Sequence, residues 1–195
     1  MRRLVIALLL VLVPLFGAAG AEADDAAPCP GRVIEQPFAA WGDLADYFLA
    51  PDGDFTAGGA GWDLTGGEVV EDNEPHWVHG GDTPAALELD SGASATSPPI
   101  CVGVEDPTMR FFARSLGGPS GTLSVEVLYA DADGVDRALP IGAVMGDEAD
   151  GWTPAAPLPI TANTFAMRVA FRFTAQGPGS AWQIDDVYVD PYRKG

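Results

Sequence analysis

The carboxylates of this chain fall into two groups whose spacing could do chemistry, Asp52-Gly53-Asp54 and Asp185-Asp186. Oxygen groups of this kind suit a hard cation such as calcium, which takes six to eight oxygen ligands and accepts backbone carbonyls among them. If the first group lies early in a sheet structure and the second on its last strand, the two can meet, because opening and closing strands often neighbour each other. Repulsion between them would then call for a cation. The alternative is two separate, solvated turns. Asp131, Asp133 and Asp136 depart from the twelve-residue spacing of a calcium loop and lack its distal Glu.

Signals for catalysis are missing. There is no G-x-S-x-G elbow, no H-E-x-x-H and no phosphate loop, so no catalytic residue is assigned. His76 and His79 could share one face of a helical turn and hold a transition metal, but Pro75 before them and Gly80-Gly81 after them point to a loop. Acidic residues are too abundant for their number alone to indicate a glycosidase pair. Aromatic rings offer another chemistry, since flat apolar planes pack against the C–H faces of sugars. Trp62 and Trp182 sit in strand-like runs and are expected in the core. Trp41, Trp77 and Trp152 are flanked by Gly, Pro or His and are the candidates for a ligand-binding surface, while Tyr129 and Tyr188 suit either role.

The chain has 195 residues, 47% of them hydrophobic, with 24 Gly, 17 Pro and a formal net charge of −18. That composition excludes a disordered chain and a long-helix bundle. The charge argues against nucleic acid and anionic lipid as partners. Met1-Arg2-Arg3, the apolar run Leu4 to Phe16 and the small residues Gly17 to Ala21 read as a signal peptide over 1–21. The run is too short for a transmembrane helix, so the mature chain is expected to be secreted, with no membrane span. Cys29 and Cys101 are the only cysteines, and in an exported protein they are expected to form a disulfide. Bridging positions so far apart would contribute roughly 4 kcal/mol in the chain-entropy model.

The elements that must position these residues are strands. Period-two alternation is clearest in 165–173, where Phe165, Met167, Val169, Phe171 and Phe173 share one face and Arg168 and Arg172 the other, and it recurs in 123–129. Further strands are expected at 62–70, 85–89, 95–104, 109–114, 138–144 and 182–189, with a hairpin turn at Asp131-Ala132-Asp133-Gly134 and a helical turn within 39–49. Residues 158–161 read as a loop. Short strands at this spacing indicate an all-β, antiparallel β-sandwich. The chain divides into the signal peptide, an N-terminal segment over 22–50 that is tied by the disulfide and mobile over 22–28, and a sandwich domain over 51–195.

Two segments carry a family resemblance. Pro51-Asp52-Gly53-Asp54-Phe55-Thr56-Ala57-Gly58 with Gly61-Trp62 resembles the opening "G-x-F-E-x-G…G-W" of galactose-binding-like jelly rolls, a group that includes many carbohydrate-binding modules. Trp182 to Val189, with its Ile184-Asp185-Asp186-Val187 core, resembles their closing strand. Thr56 stands where that family often has Glu. The resemblance implies a jelly roll over roughly 52–190 and a structural calcium held by Asp185 with Asp52, Asp54 or their neighbours, and Asp186 joins these metal candidates as the other acid of the closing pair. It also implies a non-catalytic binding module for a glycan, or for a cell-envelope or other protein. The whole chain is also similar to small secreted proteins of high-GC Gram-positive bacteria, a likeness that implies no activity. A jelly roll by itself does not specify function, so two alternatives stand: a glycan-acting hydrolase using carboxylates in a cleft, and a purely structural envelope protein.

Overall fold

The computed structural model describes residues 31–147, 151–164 and 168–191. The expected signal peptide, the acidic stretch 22–28 and Cys29 lie outside the described residues, as do 165–167. The strands are β1 (Phe48–Leu49), β2 (Asp63–Val70), β3 (Ala86–Thr96), β4 (Ile100–Cys101), β5 (Thr108–Ser115), β6 (Thr122–Ala130), β7 (Asp136–Met145), β8 (Thr153–Pro154), β9 (Leu158–Pro159), β10 (Arg168–Gln176) and β11 (Trp182–Asp190). Among the described residues, helical structure is limited to single turns at Ala39–Trp41 and Thr161–Thr164. No helix there is long and apolar enough to cross a membrane.

All strand pairs are antiparallel, in the order β7-β6-β10-β3-β11-β5-β8, with β2 on the other edge of β3. The long β3 makes a sandwich of this order. Its Ser94–Thr96 end pairs with β10 and its Leu87–Leu89 end with β11, so one strand belongs to both sheets. The change of sheet falls at Gly92, whose φ of 85° is open to glycine at no steric cost. Where the sequence predicts two strands over 85–104, there is therefore one bent strand, ended by Pro98-Pro99, and a short β4. Leu158–Pro159, expected as loop, pairs with Thr108–Met109 of β5.

The alternation read from sequence sets the core. Leu123, Val125 and Val127 of β6 and Val169, Phe171 and Phe173 of β10 face Met109, Phe111 and Ala113 of β5 and Trp182 and Ile184 of β11 in one buried cluster. Phe111 meets Phe173 across the layers, ring centroids 5.1 Å apart. Trp62, also buried, packs on Phe55 at 4.9 Å. The Asp131 turn is the β6–β7 hairpin: Asp131 accepts hydrogen bonds from the backbone of Asp133 and Val135, and Gly134 takes φ 73°.

A second, smaller core covers the outer face of β5 and β11. Phe38 and Tyr47 of the N-terminal segment close over Phe112 and Tyr188, and β1 pairs with β11 through Phe48↔Val189. Arg110 donates to Asp43 at 2.6 Å and lies 4.2 Å over the Phe38 ring. Arg32 donates to the buried Asp106 through Nη1 and Nη2 and lies over Phe48. These contacts explain why β11 is buried along its whole length.

Candidate acid cluster and binding groove

The opening and closing segments meet. Asp185 and Asp186 break period two in an otherwise regular strand, and there the β11–β5 register shifts. Such a bulge turns the chain away from one neighbour, and Val187 bonds instead to the opening loop: its carbonyl accepts from Ala50 N, and its N–H donates to Gly53 O, 3.0 Å away. Gly53 is required at this crossing, because a Cβ there would lie 2.7 Å from the Val187 carbonyl oxygen.

This junction concentrates carboxylates. Asp185 and Asp186 are 1% and 3% exposed. Asp185 accepts hydrogen bonds from the backbone of Glu74 and of Asp186, whereas Oδ1 of Asp186 is buried without a partner. Burial above all, partly offset by those two hydrogen bonds and reinforced by repulsion from Glu74 and Asp54, pushes the Asp185 carboxyl up to about 8. Burial, then repulsion from Asp185, Glu74 and Asp54, pushes Asp186 up to about 9. Burial and the nearby Asp186 and Glu35 raise the Tyr188 hydroxyl far above its ordinary value. The non-glycine residues with positive φ among the described residues are Asp52, Phe55, Trp77 and Asp186, in or beside the segments that build this junction. Backbone strain of that kind collects at functional sites.

Asp52 does not join the cluster: its carboxylate accepts the N–H groups of Ala57 and Ala60 and shapes its own loop. Asp54 lies close enough to the closing strand to raise Asp185, Asp186 and Tyr188. Three participants were not singled out from the sequence as members. Glu74 is fully buried and accepts the N–H groups of His76 and Val78. Glu35 accepts from Tyr188 Oη at 3.0 Å. His79, read above as a loop residue, sits with Nδ1 3.1 Å from Glu35 and 3.2 Å from Tyr188 Oη, and Nε2 3.6 Å from Asp54. In the sequence, Pro75 and Gly80-Gly81 mark 74–79 only as an irregular loop, and nothing there separates Glu74 from the chain's other acids. Asp54, His79 and Asp82 line a cleft of about 300 Å³ beside the cluster.

The tryptophans separate. Trp41, 37% exposed, meets His76 edge-on at 4.7 Å and Phe112 at 5.2 Å. Trp77 is 40% exposed on the neighbouring loop. Trp152, expected at the surface, is half-buried against the second core, with Arg114 above its ring and its Nε1 without a partner. Tyr188 is buried, while Tyr129 is half-buried at a different place. That place is a groove of about 550 Å³ on the outer face of β6, β7 and β10, with Leu128, Tyr129, Ala138 and Ala170 among its apolar lining and Arg137, Arg168 and Arg172 among its polar groups. Asp136 is the acid of its lining.

Solved structures share this architecture. A CBM22-1 xylan-binding domain from Paenibacillus barcinonensis Xyn10C matches 73% of this chain and 93% of its own, at 11% identity and a TM-score of 0.54. The chain shares the antiparallel jelly-roll sandwich of that domain. A Clostridium thermocellum Xyn10B xylanase chain with CBM22-1 and GH10 modules, complexed with xylohexaose, also has a TM-score of 0.54, at 18% identity, with 73% of this chain matching 28% of that longer one. A bacteriophage CBA120 tailspike enzymatic domain matches 73% of this chain and 21% of its own, at 14% identity and a TM-score of 0.49. No protein-family model and no curated protein matches the sequence.

Proposed function

We propose that this is a secreted, non-catalytic module that binds a glycan in the groove across β6, β7 and β10. The observation that carries the reading is the groove itself: a concavity of about 550 Å³ on the open face of a jelly roll whose fold is shared with a xylan-binding domain. Its apolar floor of Leu128, Ala138 and Ala170 suits the C–H face of a sugar ring, and its arginines can donate to hydroxyls. A hydrolase would need an acid and a base facing the substrate. The carboxyls displaced most strongly, Asp185 and Asp186, are instead sealed behind the N-terminal segment, and the groove offers Asp136 alone.

A structural calcium belongs to the same reading. The unpartnered Asp186 Oδ1, crowded by Asp185, Glu74 and Asp54, is a donor that a hard cation would satisfy. Side chains alone do not complete such a site, since no three acidic, Cys or His residues among the described ones are grouped to hold a metal. Backbone carbonyls of 50–54 and 185–187 would supply the remaining oxygens, and the ion would neutralise the buried charge and lock the opening loop to the closing strand.

Affinity electrophoresis of the secreted chain through gels containing soluble polysaccharides tests the binding claim. Retardation by at least one polysaccharide, reduced in Leu128→Asp, is expected. No retardation by any polysaccharide, with capture of an envelope protein instead, would overturn it.

A further inference from the structure

The groove holds an unusual share of the chain's positive charge. The arginines of the described residues are Arg32, Arg110, Arg114, Arg137, Arg168 and Arg172. Three of them line this one concavity, in a protein of net charge −18. Their partners differ. Arg172 donates through Nε and Nη2 to Glu126, at 2.8 and 2.6 Å, and Arg137 pairs with Asp131 at 2.7 Å. Arg168 is exposed, and its guanidinium has no ion pair among the described residues. It stands at the mouth shared with an adjoining pocket of about 220 Å³, lined also by Arg32, Phe48 and Pro99.

We infer that the groove selects an acidic polysaccharide, with Arg168 binding a uronate carboxylate while the sugar ring lies over Leu128 and its cross-strand neighbour Ala170. This rests on the glycan reading above and names the ligand class. A guanidinium presents a planar fork that matches a carboxylate in two parallel hydrogen bonds, and the other two arginines are already neutralised, which leaves them to donate to hydroxyls. Asp136, on β7, is the opposing charge in the lining.

The acidity of the whole protein does not cancel this site. The acid cluster lies on the outer face of β5 and β11, and the groove on the outer face of the other sheet. The two outer faces are separated by more than the roughly 10 Å spacing of packed sheets, so the charges a bound ligand meets at contact distance are those lining the groove. Net charge predicts poor attraction at long range, and the local pattern predicts selection on contact.

The test compares retention of the secreted chain by polygalacturonate, alginate and an acidic xylan with retention by the carboxyl-reduced form of each polymer. Stronger retention by an acidic form is expected, weakened by raising salt and reduced about tenfold in Arg168→Gln, in line with the loss of a hydrogen bond to a charged group. Arg168→Lys should recover part of the loss. The exposed position predicts an unchanged melting temperature, so lost retention cannot be assigned to misfolding. Equal retention by native and reduced polymers, or an Arg168→Gln variant that binds as wild type, would overturn the acidic-glycan inference while leaving the glycan reading intact. Absence of retention by both forms and by neutral polysaccharides would overturn the glycan reading itself.

Discussion

Replacing Asp186 by asparagine should lessen the pH dependence of stability in calcium-free protein, leaving the share carried by Asp185, whose carboxyl is raised chiefly by its own burial. Burial and neighbouring acids raise the Asp185 and Asp186 carboxyls to about 8 and about 9 from an ordinary 3.8. Between those limits the folded protein holds protons that the unfolded chain has released, so stability is greatest toward acid and falls as pH rises. One retained proton corresponds to about 1.4 kcal/mol per pH unit. Counting a single proton for the pair, the change from pH 5 to pH 7 costs about 2.7 kcal/mol, or roughly 5–10 °C in melting temperature for a chain of this length. Calcium, which favours the carboxylate form, should flatten that slope and raise the melting temperature by mass action. The assay is thermal unfolding followed by circular dichroism at pH 5, 6 and 7, in EDTA and in calcium, for wild type and Asp186→Asn. Wild-type and variant curves running parallel in EDTA would refute the burial argument, and identical wild-type melts with and without calcium would refute the ion.

Other perturbations probe the remaining contacts. Gly53→Ala places a Cβ against the Val187 and Ala50 carbonyl oxygens, at 2.7 and 3.1 Å. Because backbone cannot yield cheaply, it should cost about 1–3 kcal/mol in urea unfolding and abolish the calcium response. Phe112→Ala empties the centre of the second core, where Phe38 stacks at 5.4 Å. A loss of about 3–5 kcal/mol is expected, with limited proteolysis appearing first within 31–47. Reduction of the secreted chain should lower the melting temperature if Cys29 and Cys101 are bridged, by an amount corresponding to roughly 4 kcal/mol or less. A melt unaffected by reductant would show that this crosslink does not hold the N-terminal segment.

The strands were legible where alternation was strict. Val169, Phe171 and Phe173 are buried while Ala170 and Arg172 between them are half-buried on the other face, because period two needs no knowledge of distant partners. The bend in β3 was not legible: a glycine within an alternating run marks either a break or a change of sheet, and the partners on each side decide which. Asp54 and the Asp185-Asp186 pair could be brought near one another by topology alone. Glu74 and Glu35 could not, because their place depends on where two long connections fold back over β11. Trp152 was misjudged for a related reason. Its flanking Gly and Pro marked an irregular segment, but β8 pairs with β5 and draws that segment onto the sheet. Net charge concealed the groove, since a sum over the chain contains nothing about which side chains share a surface.

The pairing of Phe48 with Val189 also means that the fold is nearly a closed ring. A peptide linker from the end of β11 back to the start of the N-terminal segment would keep Phe38 and Tyr47 over Tyr188, and the Asp131–Gly134 turn offers an exposed place to cut the chain open elsewhere. A circularly permuted protein made this way should keep the groove. Its ends would then emerge from the β6–β7 hairpin, so that fusion partners would project beside the groove instead of from the acidic junction.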